Sequence, residues 1–180
     1  MSLVKSIRLS AEIEETLKRE AERREISFSQ LVSCILKKYC EWDRFTEKLA
    51  YVGNSAALYK QLIDAIPDDK LEELGVSTAR LIRDSLVVLY GKADLSSFLQ
   101  YMPLVTKYAW GSSVQYDQRA DCKNWILTFH HSFGKRWSHA FNYHMREAVR
   151  DILRLEAKVE ATESTLRVTF PIRRETAITA

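Results

Sequence analysis

Residues 4–39 read VKSIRLSAEIEETLKREAERREISFSQLVSCILKKY, a stretch that predicts one short strand followed directly by two helices. Alternation divides the strand's side chains between two faces, with Leu3, Lys5, Ile7 and Leu9 on one and Val4, Ser6 and Arg8 on the other. One face can therefore pack against a core, while the other is free to meet a partner molecule.

Two serines mark where the helices begin. Ser10 and Ser27 are good N-caps, because a serine hydroxyl accepts a hydrogen bond from a free amide of the first helical turn. The apolar residues at helical spacing are Ile13, Leu17 and Ala21 in the first helix, and Leu31, Val32, Ile35, Leu36 and Tyr39 in the second. Because these stripes are too small to form a core within one chain, we expect a second copy to complete it.

The order of these features resembles the ribbon-helix-helix family of DNA-binding proteins, the Arc repressor type. The resemblance rests on I-x-L-S at the start of the first helix and I-S-x-S before the second, and it covers about residues 3–40. In that family two chains pair their strands into an antiparallel ribbon that lies in the major groove, above four interlocked helices. Many members have glycine at the turn between the helices, where this chain has Glu25.

The resemblance implies where contacts to DNA would lie. It puts Val4, Ser6 and Arg8 on the groove-facing side of the ribbon, and the backbone amides of Ser27, Phe28 and Ser29 against phosphates. Arginine can bind O6 and N7 of guanine together, and the amides of a helix N-terminus attract phosphate oxygens, so both roles have a physical basis. The alternative is that Ser6 and Arg8 form only the solvated face of an edge strand.

Composition limits the rest of the chain. Of the 180 residues 46% are hydrophobic, which is enough for a second core beyond the first 40 positions. The net charge of +3 does not by itself point to nucleic acid, so the DNA interpretation depends on the pattern. The chain lacks a long apolar run and an N-terminal export signal, and its three cysteines lack C-x-x-C spacing. We therefore expect a cytoplasmic protein without a membrane partner.

The predicted fold class is α+β, with a ribbon-helix-helix DNA-binding and dimerisation module at 1–50. A helix-rich α+β domain with a small antiparallel sheet is expected at 51–180, after a hinge at Gly53-Asn54. Its predicted helices span 56–66, 67–75, 77–90, 94–102 and 135–156, with Gly75 and Gly91 ending the second and third and Pro103 breaking the fourth. Its predicted strands span 113–118, 124–131, 158–161 and 165–171, and the second is expected to be covered on both faces.

One polar cluster in this domain is a possible ligand or anion site: His130, His131, Lys135, Arg136 and His139. A strand end that meets a helix N-terminus gathers polar groups beside an apolar core. With Cys122 these histidines could bind a metal, as in the nickel-responsive repressors that join a ribbon-helix-helix to a metal-binding domain. Adjacent histidines on a strand point to opposite faces, however, so we predict no metal-ligand set and name no cofactor. The alternative is that the histidines are structural, as we expect for His144 on an apolar helix stripe.

Together these patterns predict a homodimeric, sequence-specific transcriptional regulator that inserts a two-stranded ribbon into double-stranded DNA. Its C-terminal domain is expected to sense a small-molecule ligand or to build a dimer or higher even oligomer. Two alternatives stay open: an antitoxin-type protein that binds DNA and a partner protein, and a metal-responsive repressor. We do not expect an enzyme, because neither a G-x-S-x-G elbow nor a phosphate-binding G-x-x-x-x-G-K-[ST] loop occurs.

Overall fold

A computed structural model describes residues 6–46, 48–49 and 51–172. The chain divides into two compact units, Met1–Arg44 and Phe45–Ala180. The architecture is α+β, as expected, with helices in both units and a four-stranded antiparallel sheet in the second. Within the described residues, no helix has the length and apolar character that crossing a membrane requires.

The first unit contains the two helices that the sequence predicts, α1 (Ala11–Arg23) and α2 (Phe28–Lys38). Both N-caps are confirmed, because the Ser10 hydroxyl accepts a hydrogen bond from the Ile13 amide and the Ser27 hydroxyl accepts one from the Gln30 amide. A π-helical turn (Tyr39–Asp43) and the short helix α3 (Arg44–Thr46) follow α2.

The turn between α1 and α2 has a backbone conformation that is usually formed by glycine. Glu25 has a φ of 55°, in the left-handed region that residues with a Cβ disfavour. The Ile26 amide donates to the Ala21 carbonyl (3.1 Å) and the Glu25 amide to the Glu22 carbonyl (3.0 Å), which is the double hydrogen bond of a Schellman motif. The absence of glycine at this position therefore does not change the form of the turn.

The N-terminal strand stays a prediction. Residues 6–10 are described and contain no strand in this single chain, while Val4 and Lys5 lie outside the described residues. A ribbon strand obtains its hydrogen bonds from the paired strand, which in the predicted dimer belongs to a second chain.

The second unit begins with helical segments. They are α4 (Ala56–Asp64), a 3₁₀ turn (Asp68–Lys70), α5 (Leu71–Tyr90) and α6 (Leu95–Val105), and a π-helical turn (Thr106–Trp110) and a 3₁₀ turn (Gly111–Ser113) continue from α6. Gly91 ends α5 with a φ of 72°, as predicted, whereas Pro103 lies inside α6 and does not end it at 102.

The prediction that Gly75 ends a short helix is wrong, because α5 runs through it without a break. A Cβ at position 75 would lie 2.3 Å from the Ala140 carbonyl oxygen and 2.8 Å from Cβ of Tyr143. Both residues belong to α7 (Lys135–Leu153). Gly75 is thus the point at which α5 and α7 approach closely, and its role is packing rather than termination.

The sheet has the strand order β1-β2-β4-β3, with β1 (Val114–Ala120), β2 (Asn124–His131), β3 (Lys158–Ala161) and β4 (Thr165–Pro171). One face is apolar and buried, and its residues are Leu127, Phe129, Leu166, Val168 and Phe170. Phe98 of α6 meets Phe170 edge-on, and α7 contacts β3 and β4.

The expectation that β2 is covered on both faces holds only in part. On the outer face Thr128 is buried, but Ile126 is half-buried and His130 is exposed. The residues paired with Thr128, Asp117 of β1 and Arg167 of β4, are exposed as well. The β-branched residues of this face suit a strand backbone whether or not they are buried. The second core therefore lies between one face of the sheet and the helices.

Candidate functional site

The predicted DNA-contacting residues of the first unit that the structure describes are exposed, except for Phe28, which is half-buried. Ser6 and Arg8 are both exposed, and Val4 lies outside the described residues. At the start of α2, the Ser27 amide donates to Oε1 of Gln30 (2.9 Å), so it is already occupied. The amides of Phe28 and Ser29 precede the first helical hydrogen bond, which the Leu31 amide makes to the Ser27 carbonyl. These two amides are the ones that point out of the helix end.

The first unit leaves much of its apolar stripe in contact with solvent. Ala21 and Leu31 are buried, but large apolar side chains on both helices and before α1 are exposed: Ile7, Ile13, Ile35, Leu36 and Tyr39. The exposed fraction of the side chains reaches 58% for Tyr39 and 61% for Ile7. Several large exposed apolar side chains within so short a unit are typical of an interaction surface.

The histidines at the end of β2 lie on opposite faces of the strand, as their adjacency predicts. His131 is buried, its Nε2 lies 2.8 Å from the Ser138 hydroxyl, and its Nδ1 accepts a bond from the Phe133 amide. Nε2 must then carry the proton and donate it to Ser138. Burial lowers the pKa of His131 to about 4, so this ring is neutral and structural at pH 7. His130 is exposed on the other face, where Nδ1 lies 3.0 Å from the Thr165 hydroxyl.

Lys135, Arg136 and His139 of α7 line one pocket together with Ser138, whereas the two histidines of β2 are not part of its lining. Arg136 donates to the Asp68 carboxylate and to the Ile66 carbonyl. Lys135 and His139 are exposed, and the His139 ring meets Tyr143 edge-on. Within the described residues there is no group of three or more His, Cys, Asp or Glu side chains that could hold a metal ion.

A cavity of about 380 Å³ lies elsewhere in the second unit, enclosed by α4, α5, α6 and α7. Its walls are mainly apolar and aromatic, and they include Ile63, Ile82, Met102, Trp110, Trp137, Phe141 and Met145. Trp137 and Phe141 stack with ring centroids 4.3 Å apart, which gives one wall a flat surface. Mainly apolar walls and a volume above about 300 Å³ are typical of sites that bind small molecules.

One polar group of the cavity consists of three hydroxyls. The hydroxyls of Tyr51 and Tyr101 share a hydrogen bond of 2.9 Å, and Ser85 hydrogen-bonds with both. Because the Ser85 hydroxyl donates its own proton to the Leu81 carbonyl (2.7 Å), it accepts from a tyrosine. One tyrosine proton lies in the Tyr51–Tyr101 bond, so only the other tyrosine can donate to Ser85 at a given moment. Burial raises the pKa of Tyr51 and of Tyr101, so both phenols are uncharged at neutral pH.

The second polar group joins α5 to α7. The Thr78 hydroxyl lies 2.8 Å from the Leu74 carbonyl and 3.0 Å from Nδ1 of His144. Burial lowers the pKa of His144 to about 4, and its ring stacks on Phe141. His144 is therefore a neutral link between the two helices, in agreement with its expected structural role.

The chain matches no family model, no curated protein and no solved structure. The likeness to ribbon-helix-helix proteins accordingly rests on the residues of the first 40 positions. For the second unit, the geometry of the cavity is the guide to function.

Sequence reasoning did not find this cavity, although its residues were visible in the helix patterns. Leu81, Ile82 and Phe141, which line it, are apolar residues within the predicted helices 77–90 and 135–156. The available signal was the set of hydroxyl and imidazole groups within those stripes, namely Thr78, Ser85, Tyr101 and His144. Polar side chains at apolar stripe positions must be satisfied when buried, and they cluster where a cavity interrupts the packing.

Proposed function

We propose that this protein is a homodimeric, sequence-specific DNA-binding transcriptional regulator whose second unit senses a small molecule. Two chains would pair their N-terminal strands into a ribbon that enters the major groove, with α1 and α2 of both chains forming the shared core. The second unit would adjust DNA affinity according to the occupancy of its cavity.

The exposed apolar stripe of the first unit is the observation that carries the proposal. The exposed apolar residues are Ile13 of α1, Ile35 and Leu36 of α2, and Tyr39 directly after α2, and both helices are well capped at their N-termini. About 40 residues bury too little surface to be stable alone, so a second copy that covers this stripe would supply the missing core. The Schellman turn at Glu25 supports the same arrangement, because the family places glycine at that turn.

Support for DNA as the partner comes from the chemistry beside that stripe. The Arg8 side chain is exposed, and it can form the paired hydrogen bonds that guanine offers in the major groove. The Phe28 and Ser29 amides at the start of α2 can bind a phosphate oxygen. The alternative partner is a protein, since an exposed apolar stripe also suits an antitoxin-type complex.

The proposal predicts that base contacts and backbone contacts respond differently to substitution. A preferred duplex is first selected from a random library with the full chain. Arg8→Ala should then weaken binding to this duplex by about 1–3 kcal/mol. The difference in affinity between this duplex and random DNA should become smaller. Arg19→Ala, an exposed arginine of α1 outside the predicted contacts, is the matched control and should bind like the parent.

Ser29→Pro tests the backbone contact, because proline removes one amide hydrogen and is tolerated in the first turn of a helix. This variant should bind all sequences more weakly by a similar factor, and circular dichroism should show that α2 persists. If selection yields no preferred duplex, or if Arg8→Ala binds as well as the parent, the DNA-binding proposal is wrong. A protein partner would then be the better explanation of the exposed stripe.

A further inference from the structure

The cavity of the second unit is specific in its chemistry. We infer that it binds an uncharged, largely apolar molecule with one hydrogen-bonding group, which meets the hydroxyls of Tyr51 and Tyr101. The inference depends on the proposed function in one respect: only the sensor role implies that ligand binding changes DNA affinity. Ligand binding itself is a separate, directly measurable property of the cavity.

The lining carries no formal charge. Among the described residues that form the walls, none is Asp, Glu, Lys or Arg. The titratable lining residues are Tyr51, Tyr59, Tyr101 and His144, and burial favours the neutral form of each of them. An ionised ligand would therefore lose its hydration without gaining a counter-charge, which is costly in an apolar enclosure.

The hydroxyls are placed to recognise one polar group. Tyr51 and Tyr101 lie on the cavity wall 2.9 Å from each other, so a single ligand atom could contact both hydroxyls. Their two protons serve the bonds within the hydroxyl group, so the pair offers acceptor lone pairs and suits a ligand that donates a hydrogen bond, such as an alcohol or a phenol. The remaining walls offer apolar contact, including the stacked rings of Trp137 and Phe141.

The cavity is open to solvent on one side. Three of its lining residues are exposed, namely Tyr51, Tyr59 and Leu81, and the exposed fraction of Leu81 is 60%. A ligand can therefore enter without unfolding of the helices. Leu81 is also a position at which a larger side chain can narrow the entrance without disturbing the buried core.

The first experiment compares probes that differ in charge. The full chain is titrated calorimetrically with 2-naphthol and 1-octanol, and separately with their anionic counterparts 2-naphthoate and octanoate. The neutral probes should bind more tightly than the anions by about ten-fold or more, because the cavity offers no positive charge to offset the lost hydration of a carboxylate. Equal binding of neutral and anionic probes, or binding of none of them, would overturn the inference.

The second experiment locates the binding. Leu81→Trp should reduce the affinity for 2-naphthol by about ten-fold or more by obstructing the entrance. Val88→Trp is the matched control, because Val88 is an exposed residue of the same helix that does not line the cavity. Similar affinities of the two variants would mean that the probe binds elsewhere, which would also overturn the inference.

The third experiment tests the hydroxyl pair. Tyr51→Phe keeps the ring and removes the hydroxyl, so the affinity for 2-naphthol should fall about three- to ten-fold while naphthalene binding stays unchanged. A parallel loss for both probes would indicate a structural effect and would count against the assigned contact.

DNA affinity with and without 2-naphthol separates this inference from the proposed function. If the probe binds but DNA affinity stays the same, the cavity assignment stands and the sensor role fails. If the neutral probes do not bind while selected DNA is still recognised, the cavity inference fails and DNA binding stands.

Discussion

Glu25 holds a backbone conformation that its side chain disfavours. Its φ of 55° places the Cβ close to the following carbonyl, a strain that glycine does not have. The side chain is exposed, so the conformation is imposed by the Schellman hydrogen bonds rather than by packing. The connection between α1 and α2 is therefore formed at some cost in stability.

Glu25→Gly should raise the free energy of unfolding of the first unit by about 0.5–1 kcal/mol, since removal of the left-handed strain outweighs the extra freedom of glycine when unfolded. Urea unfolding at a fixed protein concentration, followed by circular dichroism, measures this change. Glu15→Gly, in the interior of α1, should instead lower stability by about 1 kcal/mol. A loss of stability in Glu25→Gly would contradict the turn geometry.

His131 is buried and His144 is half-buried, and the protonation of both rings affects stability. Burial lowers the pKa of each to about 4 from an ordinary value of 6.5. Between these two values the unfolded chain binds protons that the folded chain does not, so acid favours unfolding. Their contribution to stability is complete above about pH 6.5 and decreases as the pH falls towards 4.

The free energy of unfolding should thus decrease from pH 6.5 to pH 5, with a slope of at most about 1.4 kcal/mol per pH unit for each histidine. The carboxyls of Glu20 and Asp94, whose pKa values are lowered to about 2 by hydrogen bonds from basic partners, act only below this range. His144→Gln should reduce the slope, as urea unfolding at several pH values would reveal. A slope that does not change in this variant would mean that His144 can be protonated in the folded protein.

At the scale of elements, the crossing of α5 and α7 organises the second unit. Gly75 allows the α7 backbone at Ala140 to approach α5, and Thr78 bonds to His144 one turn further along. Arg83 donates to both oxygens of Asp151 at the far end of the crossing. The cavity lies beside this crossing, so its shape depends on how closely the two helices meet.

Gly75→Ala should lower the free energy of unfolding by about 1–3 kcal/mol, because the added methyl group meets backbone atoms that cannot move aside easily. It should also weaken binding of 2-naphthol by changing the distance between α5 and α7. Gly53→Ala is the control, since nothing lies within 4 Å of a Cβ at that position. Equal stability of the two variants would contradict the close approach.

At the scale of the whole molecule, the proposed dimer would complete the core of the first unit. Ile35 and Leu36 of α2 and Tyr39 of the π-helical turn that follows it are exposed in the single chain. Covering them in a dimer would bury enough apolar surface to stabilise helices that cannot be stable alone.

Leu36→Lys should shift the full chain from dimer towards monomer at micromolar concentration, because a buried ammonium has no partner in an apolar interface. Sedimentation velocity measures the shift. Ser33→Lys, an exposed polar position of α2, is the matched control and should have a smaller effect. If the parent chain sediments as a folded monomer, the proposal of a core shared by two copies is wrong.

The sequence by itself determined the elements with local signals. The caps at Ser10 and Ser27, the end of α5 at Gly91, and the strands β2, β3 and β4 follow from nearest neighbours along the chain, and the structure confirms them. Capping and strand alternation involve residues at most a few positions apart, so a sequence records them directly.

Tertiary structure alone decided the role of Gly75, the partial exposure of the outer face of β2, and the cavity. Each depends on residues far apart in sequence, as when Gly75 meets Ala140 or when Tyr51 meets Tyr101. A glycine that ends a helix and a glycine that admits a neighbouring helix give the same local pattern, since the difference lies in what approaches from outside. An apolar stripe likewise shows which side of a helix is buried, but only the packing of its neighbours determines whether that side meets side chains or an empty volume.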